Sequence, residues 1–288
     1  MRHAITLSAL GLGTTSPNPP VGCVILDRHG TVAGAGFHRR KGESHAEVHA
    51  LSAAGAAARG GTAVVTLEPC NHVGVTPACR QELLDAGIAR VVISVIDPTS
   101  RGDGGAAALA AAGVEVETDV LRDEALAVLG PWLTATVRRR PYLIWVNTSD
   151  NDRDPAVNER LILDLRGRAD VVIASKVAVE GIPGGHAGEH FALPGQFDVD
   201  AGLVRLLSAT YTAGARSALL VGSEYAEMLR HQMHTVDEVL IATQRADPSH
   251  ALAAVDPHVI PAGFRLADVT PCAGSMVVRF RQPSRGKA

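Results

Sequence analysis

The chain has 288 residues, a length that suits two domains of ordinary size better than one. Apolar residues make up 46% of it, enough for buried cores, which excludes an extended disordered chain. The net charge is −3, no lysine or arginine run is interleaved with aromatics, and no segment reads as a membrane span or a secretory signal, so neither nucleic acid nor membrane is an expected partner.

In chain order, residues 2–12 predict a short helix, and residues 21–27 and 31–36 a pair of hairpin strands. Residues 44–58 predict an alanine-rich helix capped by Ser44. A short apolar strand at 63–66 precedes a helix at 77–86 that Gly87 stops. A buried strand at 91–96 ends at Asp97-Pro98, and a helix at 106–112 and a strand at 115–118 follow. Strands alternating with helices imply an α/β three-layer sandwich. The stretch 130–141 closes this unit, and Arg138, Arg139 and Arg140 read as a solvated helix end.

A second alternation starts after Pro141, with strand 142–147, helix 155–166 and strand 170–175. A loop rich in glycine and proline spans 181–195, then helix 199–213, strand 218–221, helix 224–233 and strand 236–243. Two β-rich segments at 264–269 and 275–280 end the chain, and no internal repeat relates the halves. The expected domains are residues 1–136 and 141–288.

Four cysteines at uneven spacing do not make a secreted disulfide framework. In the reducing cytoplasm expected for this chain they serve as metal ligands or small core residues. Ser44-His45-Ala46-Glu47 opens a helix, Glu68-Pro69-Cys70 follows a strand, and Cys79 lies nine positions further, just inside the next helix. One histidine and two cysteines leave a tetrahedral zinc with an open fourth position, as a catalytic site requires. Helix N-termini favour the thiolates. Zinc makes water a usable nucleophile near neutral pH, and Glu47, which is not a ligand, can carry the proton from water to a ring nitrogen and the departing amine. His49 falls four residues after His45, but a two-histidine metal face would need the glutamate elsewhere, so His49 reads as packed or solvated. Cys23 and Cys272 lack partners at ligand spacing and read as core residues. A zinc-stabilised scaffold without turnover is the alternative from another class. Glu47 argues against it, because a structural site needs no proton shuttle.

Residues 4–125 resemble the deaminase domain of the bifunctional riboflavin-biosynthesis deaminase/reductase family. The matching segments are Ser16-Pro17-Asn18-Pro19, Val21-Gly22-Cys23-Val24, Gly42-Glu43-Ser44-His45-Ala46-Glu47, Thr66-Leu67-Glu68-Pro69-Cys70, His72, Gly74, Thr76-Pro77, Cys79, Gly87-Ile88 and Asp97-Pro98. The nine-position spacing of the two cysteines is that of the riboflavin type. The resemblance implies a cytidine-deaminase-like three-layer α/β/α domain, Zn2+ on His45, Cys70 and Cys79, and Glu47 as catalytic proton shuttle. It also implies substrate contacts from Asn18 and His72 to an aminopyrimidine, and a homo-oligomer. Two departures touch the phosphate end: Val75 stands where the family has a basic residue, and Thr99 where it has asparagine. Losing that cation removes a charge-assisted contact of about 1.5–3 kcal/mol, so either the substrate differs or Arg101 substitutes.

The second half resembles the family's reductase domain, a dihydrofolate-reductase-like α/β fold, but departs at three cofactor and substrate segments. Trp145-Val146-Asn147-Thr148-Ser149-Asp150-Asn151 replaces a lysine-bearing strand and its turn. Ala174-Ser175-Lys176 and the run through Glu180-Gly181-Ile182-Pro183 replace a glycine turn. Gly222-Ser223-Glu224 stands for Glu-Gly-Gly, which sets a carboxylate and a side chain against a pyrophosphate. This half is expected to have lost NADPH binding and to contribute no cofactor-binding residue. The functional expectation is hydrolytic deamination of an aminopyrimidine of the riboflavin-pathway type, or of a related heterocycle, with release of ammonia. The alternative enzyme is the full deaminase and NADPH-dependent reductase.

Overall fold

The computed structural model describes residues 1–72, 78–99, 104–147, 155–186, 193, 199–243, 260, 262–272 and 275–283. They divide into one unit holding Met1–Leu133 and another holding Thr134–Gly184 and residues from 189 onward.

In the first unit helix α1 (Arg2–Ser8) leads to strands β1 (Gly22–Leu26) and β2 (Val32–Phe37), helix α2 (Ala46–Ala54) and strand β3 (Thr62–Leu67). Helix α3 (Cys79–Asp85), β4 (Arg90–Val95), α4 (Gly105–Ala111), β5 (Glu115–Glu117) and α5 (Arg122–Arg138) as far as Leu133 complete it, and the last turns of α5 belong to the second unit. The sheet runs β2-β1-β3-β4-β5; β1 pairs antiparallel with both neighbours, and β3, β4 and β5 are parallel. Strand β4 is almost wholly apolar because both its faces are covered. Val91, Ile93 and Val95 join one core with Ile25, Leu83 and Leu129, while Val92 joins Ala4, Val24 and Val64 on the other face. The result is the three-layer sandwich that the alternation predicts.

Two glycines of β2 set the depth of α2. A Cβ on Gly36 would stand 2.6 Å from the backbone N of Ala50, and one on Gly34 would stand 2.3 Å from Ala50 O. Ala46, Ala50 and Ala54 form the facing stripe of the helix and are buried. With no side chains beyond Cβ between them, helix and strand backbones touch directly.

In the second unit strands β6 (Tyr142–Asn147), β7 (Val171–Ala174), β8 (Val177–Glu180), β9 (Ser217–Val221), β10 (Glu238–Thr243), β11 (Arg265–Cys272) and β12 (Ser275–Arg281) run in the order β11-β12-β10-β6-β9-β7-β8. Helices α6 (Pro155–Arg166), α7 (Val199–Thr212) and α8 (Ala226–Gln232) connect the parallel strands β6, β7, β9 and β10. Leu143, Trp145, Ile173, Leu220 and Ile241 fill one core, and Val146, Val172, Leu219 and Leu240 the other.

Four local expectations are corrected. The cap of α2 is His45, not Ser44: it holds the extended conformation of an N-cap and makes no side-chain cap bond. The same helix stops at Ala54, where Gly55 turns to φ +52°, and a 3₁₀ turn carries the alanine run to Ala58. Helix α5 runs through Gly130-Pro131 to Arg138, within the stretch 130–141 that reads as the close of the first unit. Buried Ala125, Leu129 and Trp132, with the Trp132 indole N–H donating to Pro17 O at 3.0 Å, outweigh the one helical donor that proline lacks. Finally, Arg139 is exposed as expected, but Arg138 and Arg140 are only partly exposed. Both pair with Asp237, whose side chain is 3% exposed.

Candidate active site

Three turns converge at one end of the first unit's sheet. His45 caps α2, Cys70 follows β3 through Glu68-Pro69, and Cys79 is the first residue of α3. An N-cap residue has extended backbone, so its side chain turns out of the helix rather than along it. This conformation aims the His45 imidazole at the two sulfurs. His45 Nδ1 stands 3.1 Å from Cys79 Sγ and 3.8 Å from Cys70 Sγ, and all three ligand atoms lie within 4.8 Å of one another. Zinc bonds of about 2.3 Å to sulfur and about 2.0 Å to nitrogen, at tetrahedral angles, put ligand atoms roughly 3.5–3.8 Å apart. The donor set and its spacing therefore fit that ion, and neither cysteine is in a disulfide.

The electrostatics favour a thiolate at Cys70. Its thiol is held at about 4, below the ordinary thiol range, first by hydrogen bonding with the Cys79 thiol and then by the His45 imidazole and the Cys79 backbone N–H. That N–H donates to Cys70 Sγ at 3.2 Å. Cys79 is pushed up by its charged neighbour and by burial. Glu47, in the first turn of α2, is 3% exposed, and burial raises its carboxyl above the usual range. A buried carboxyl beside the cluster is a group able to take and return a proton.

His38 is a site residue that the motif reading passes over. It is buried, its Nδ1 lies 3.2 Å from Ser44 O, and its Nε2 lies 3.4 Å from Asn18 Nδ2. A carbonyl only accepts, so Nδ1 carries the proton, and Nε2 of the neutral ring accepts from the Asn18 amide. Burial keeps the ring neutral, lowering its pKa to about 4. Its ring packs edge-on to that of His45, with centroids 5.4 Å apart. His38 follows β2 with no spacing signal, and only the fold brings it beside Asn18.

Asn18 is half-buried in a turn closed by its backbone N–H to Thr15 O at 2.9 Å. His72 is exposed, and no hydrogen bond among the described residues ties it to the cluster. His49 stands outside the metal group. Cys23 is buried at 0% exposure, whereas the Cys272 side chain lies outside the described residues. Gly74, Val75, Thr76-Pro77 and Arg101 also lie outside them, while Thr99 N–H donates to Asp97 Oδ1 at 2.8 Å. In the second unit Ser149, Asp150 and Asn151 lie outside the described residues too. The Glu224 carboxylate is folded over Gly222: a Cβ there would stand 1.9 Å from Glu224 Oε2.

Residues 1–95 match the family of the cytidine and deoxycytidylate deaminase zinc-binding region. The diaminohydroxyphosphoribosylamino-pyrimidine deaminase of Buchnera aphidicola from Acyrthosiphon pisum is 51% identical over 125 residues, which are 43% of this chain and 84% of that protein. The riboflavin biosynthesis protein RibD of Escherichia coli is 50% identical over 126 residues, again 43% of this chain but only 34% of that relative's length. A crystal structure of a diaminohydroxyphosphoribosylaminopyrimidine deaminase/5-amino-6-(5-phosphoribosylamino)uracil reductase from Thermotoga maritima aligns with a TM-score of 0.77 at 21% identity. The alignment covers 98% of this chain and 97% of that one, a likeness of fold alone. No helix among the described residues is long and apolar enough to cross a membrane.

Proposed function

This chain belongs to the diaminohydroxyphosphoribosylamino-pyrimidine deaminase family, and from that premise we propose that its own His45, Glu47, Cys70 and Cys79 carry out hydrolytic deamination of a riboflavin-pathway aminopyrimidine. The reading rests on one observation above all: His45, Cys70 and Cys79 meet at ligand spacing beside the buried Glu47. Zinc in such a site supplies a Lewis acid that makes water nucleophilic near neutral pH. The chain does the rest. Glu47 takes one proton from the attacking water and delivers it to the ring nitrogen, then moves the second proton of that oxygen to the amine, which leaves as ammonia as the carbonyl forms. Asn18, oriented by His38, and His72 contact the substrate. We assign the reaction to the cytoplasm, whose reducing conditions keep both thiols available as ligands, and the protein to a homo-oligomer.

The second unit has a reductase-like fold, in which Gly222 follows β9 and its backbone N–H donates to Val146 O of the neighbouring β6 at 3.1 Å. That fold favours a second reading, the bifunctional deaminase and NADPH-dependent reductase. Against it stands Glu224, whose carboxylate occupies the approach to the Gly222 backbone that a cofactor phosphate would need.

Glu47→Gln keeps the size of the side chain but cannot accept the water proton. The variant should hold one zinc per chain and melt like the parent, while ammonia release from a diaminopyrimidine nucleotide falls by roughly 10²–10⁴. Turnover near the parent rate would remove Glu47 from the mechanism. Absence of ammonia release by the parent, with zinc bound, would remove this substrate class.

A further inference from the structure

Glu68 is buried, 6% exposed, and its two carboxylate oxygens are committed to different segments. Oε1 accepts the backbone N–H of Ala106 at 2.8 Å, in the first turn of α4, and Oε2 accepts that of Asp97 at 3.2 Å, just past β4. Its own N–H continues the β3–β4 ladder to Val95 O at 2.8 Å. The next residue is Pro69, whose carbonyl lies so close to α4 that a Cβ on Gly105 would stand 2.1 Å from it. Cys70 follows, and its carbonyl accepts from Arg80 N at 3.3 Å. From Glu68 to Cys70 there is thus one intervening residue, with φ locked by its ring and its carbonyl seated against a glycine.

We propose that Glu68 is a positioning residue for the Cys70 thiolate: by clamping the ends of β4 and α4 to the Glu-Pro-Cys turn, it fixes where the sulfur stands relative to His45 and Cys79. The proposal rests on reading those three residues as a zinc site. The carboxylate alone can do this, because both partners are backbone donors. A neutral amide offers one oxygen and turns an NH₂ donor on the other N–H, so one bond becomes a repulsion. The displacement reaches Cys70 through a single residue, whose φ is fixed by its ring. Groups that orient metal ligands from outside the coordination shell typically weigh 10–100-fold in metal affinity.

The test compares full-length parent, Glu68→Gln and Glu68→Ala proteins loaded with cobalt(II) or zinc. The thiolate-to-cobalt absorption and the ligand-field bands report the sulfur geometry, and zinc transfer to a chromogenic chelator reports affinity. For Glu68→Gln the expected result is a shifted cobalt spectrum and zinc affinity lower by about 10-fold, with metal-free melting lowered but the protein still folded. Glu68→Ala, which removes the acceptors without adding a donor, should shift the spectrum in the same direction and provides the comparison if the glutamine variant does not fold. Parent-like spectra and chelator transfer in both variants would overturn the proposal. So would variants that unfold with metal as readily as without it, which would make Glu68 a general fold residue. A parent protein that bound neither metal would instead sink the zinc reading itself.

Discussion

Cys79 and Cys23 make a pair of controls at the scale of single residues. Both thiols are buried in the first unit, yet only Cys79 stands within reach of His45. Cys79→Ala should lower zinc content well below one ion per chain and destabilise the first unit, because a metal bound only by the folded state stabilises it. Cys23→Ala should keep full occupancy, and its cost is that of a small core cavity. Metal analysis of both purified variants, with thermal melting, decides the matter: full occupancy in Cys79→Ala would remove it from the ligand set.

At the scale of elements, two central strands of the second sheet are tied at one end by a single carboxylate. Asp237, immediately before β10, accepts from Arg140 through both oxygens, at 2.6 and 3.0 Å, and also from Arg138 and from the Leu143 N–H at 2.8 Å. One side chain so joins the end of α5, the start of β6 and the start of β10. Removing one partner of a buried ion pair leaves the other charge uncompensated. Asp237→Ala should therefore destabilise the second unit by about 3–5 kcal/mol. Removing Arg2, whose pair with Glu124 is on the surface, should change little. Trp132→Phe leaves Trp145, buried in β6, as the sole tryptophan, so its fluorescence during urea unfolding follows this unit. An unchanged midpoint would show that the arginines find water at no cost.

The elements also show what a sequence can and cannot disclose. Strand β4 and helix α6 were legible because their burial is written as period and composition. The His45, Cys70 and Cys79 motif was legible because ligand chemistry restricts both residue type and spacing. The β7–β8 hairpin was not, since its two-residue turn is Ser175-Lys176, at φ +48° and +63°, with no glycine or asparagine to mark it. Helix α5 was hidden by Gly130-Pro131, whose local preference is overridden by the buried face of Leu129 and Trp132. The partnership of Arg140 with Asp237 spans 97 positions, and His38 reaches Asn18 only through the fold. Contacts of that kind leave no periodic trace.

For the whole molecule, the question is whether two folds mean two activities. In the second unit Gly222 follows β9 with the Glu224 carboxylate folded over it, and under the bifunctional reading a phosphate approaching that glycine would have to displace the carboxylate. An anion brought against a carboxylate meets Coulomb repulsion that only a nearby cation could offset. Titration calorimetry on the full chain should show no saturable NADPH binding in the micromolar range, and no NADPH should be oxidised when the deaminated product is supplied. Micromolar affinity would restore the bifunctional reading.

The direct seating of α2 on Gly34 and Gly36 bears on the order in which the first unit assembles. Strands β1 and β2 and helix α2 are consecutive, so their contacts close only short loops and cost little chain entropy. Cys70 and Cys79 arrive with β3 and α3, after the longer return of the chain. Such a nucleus would present His45 and Glu47 together while the thiolates are still on unfolded chain. Zinc entering at that stage would act as a latch, joining a later-forming part to an early one, so that the ion that serves the chemistry would also serve the folding.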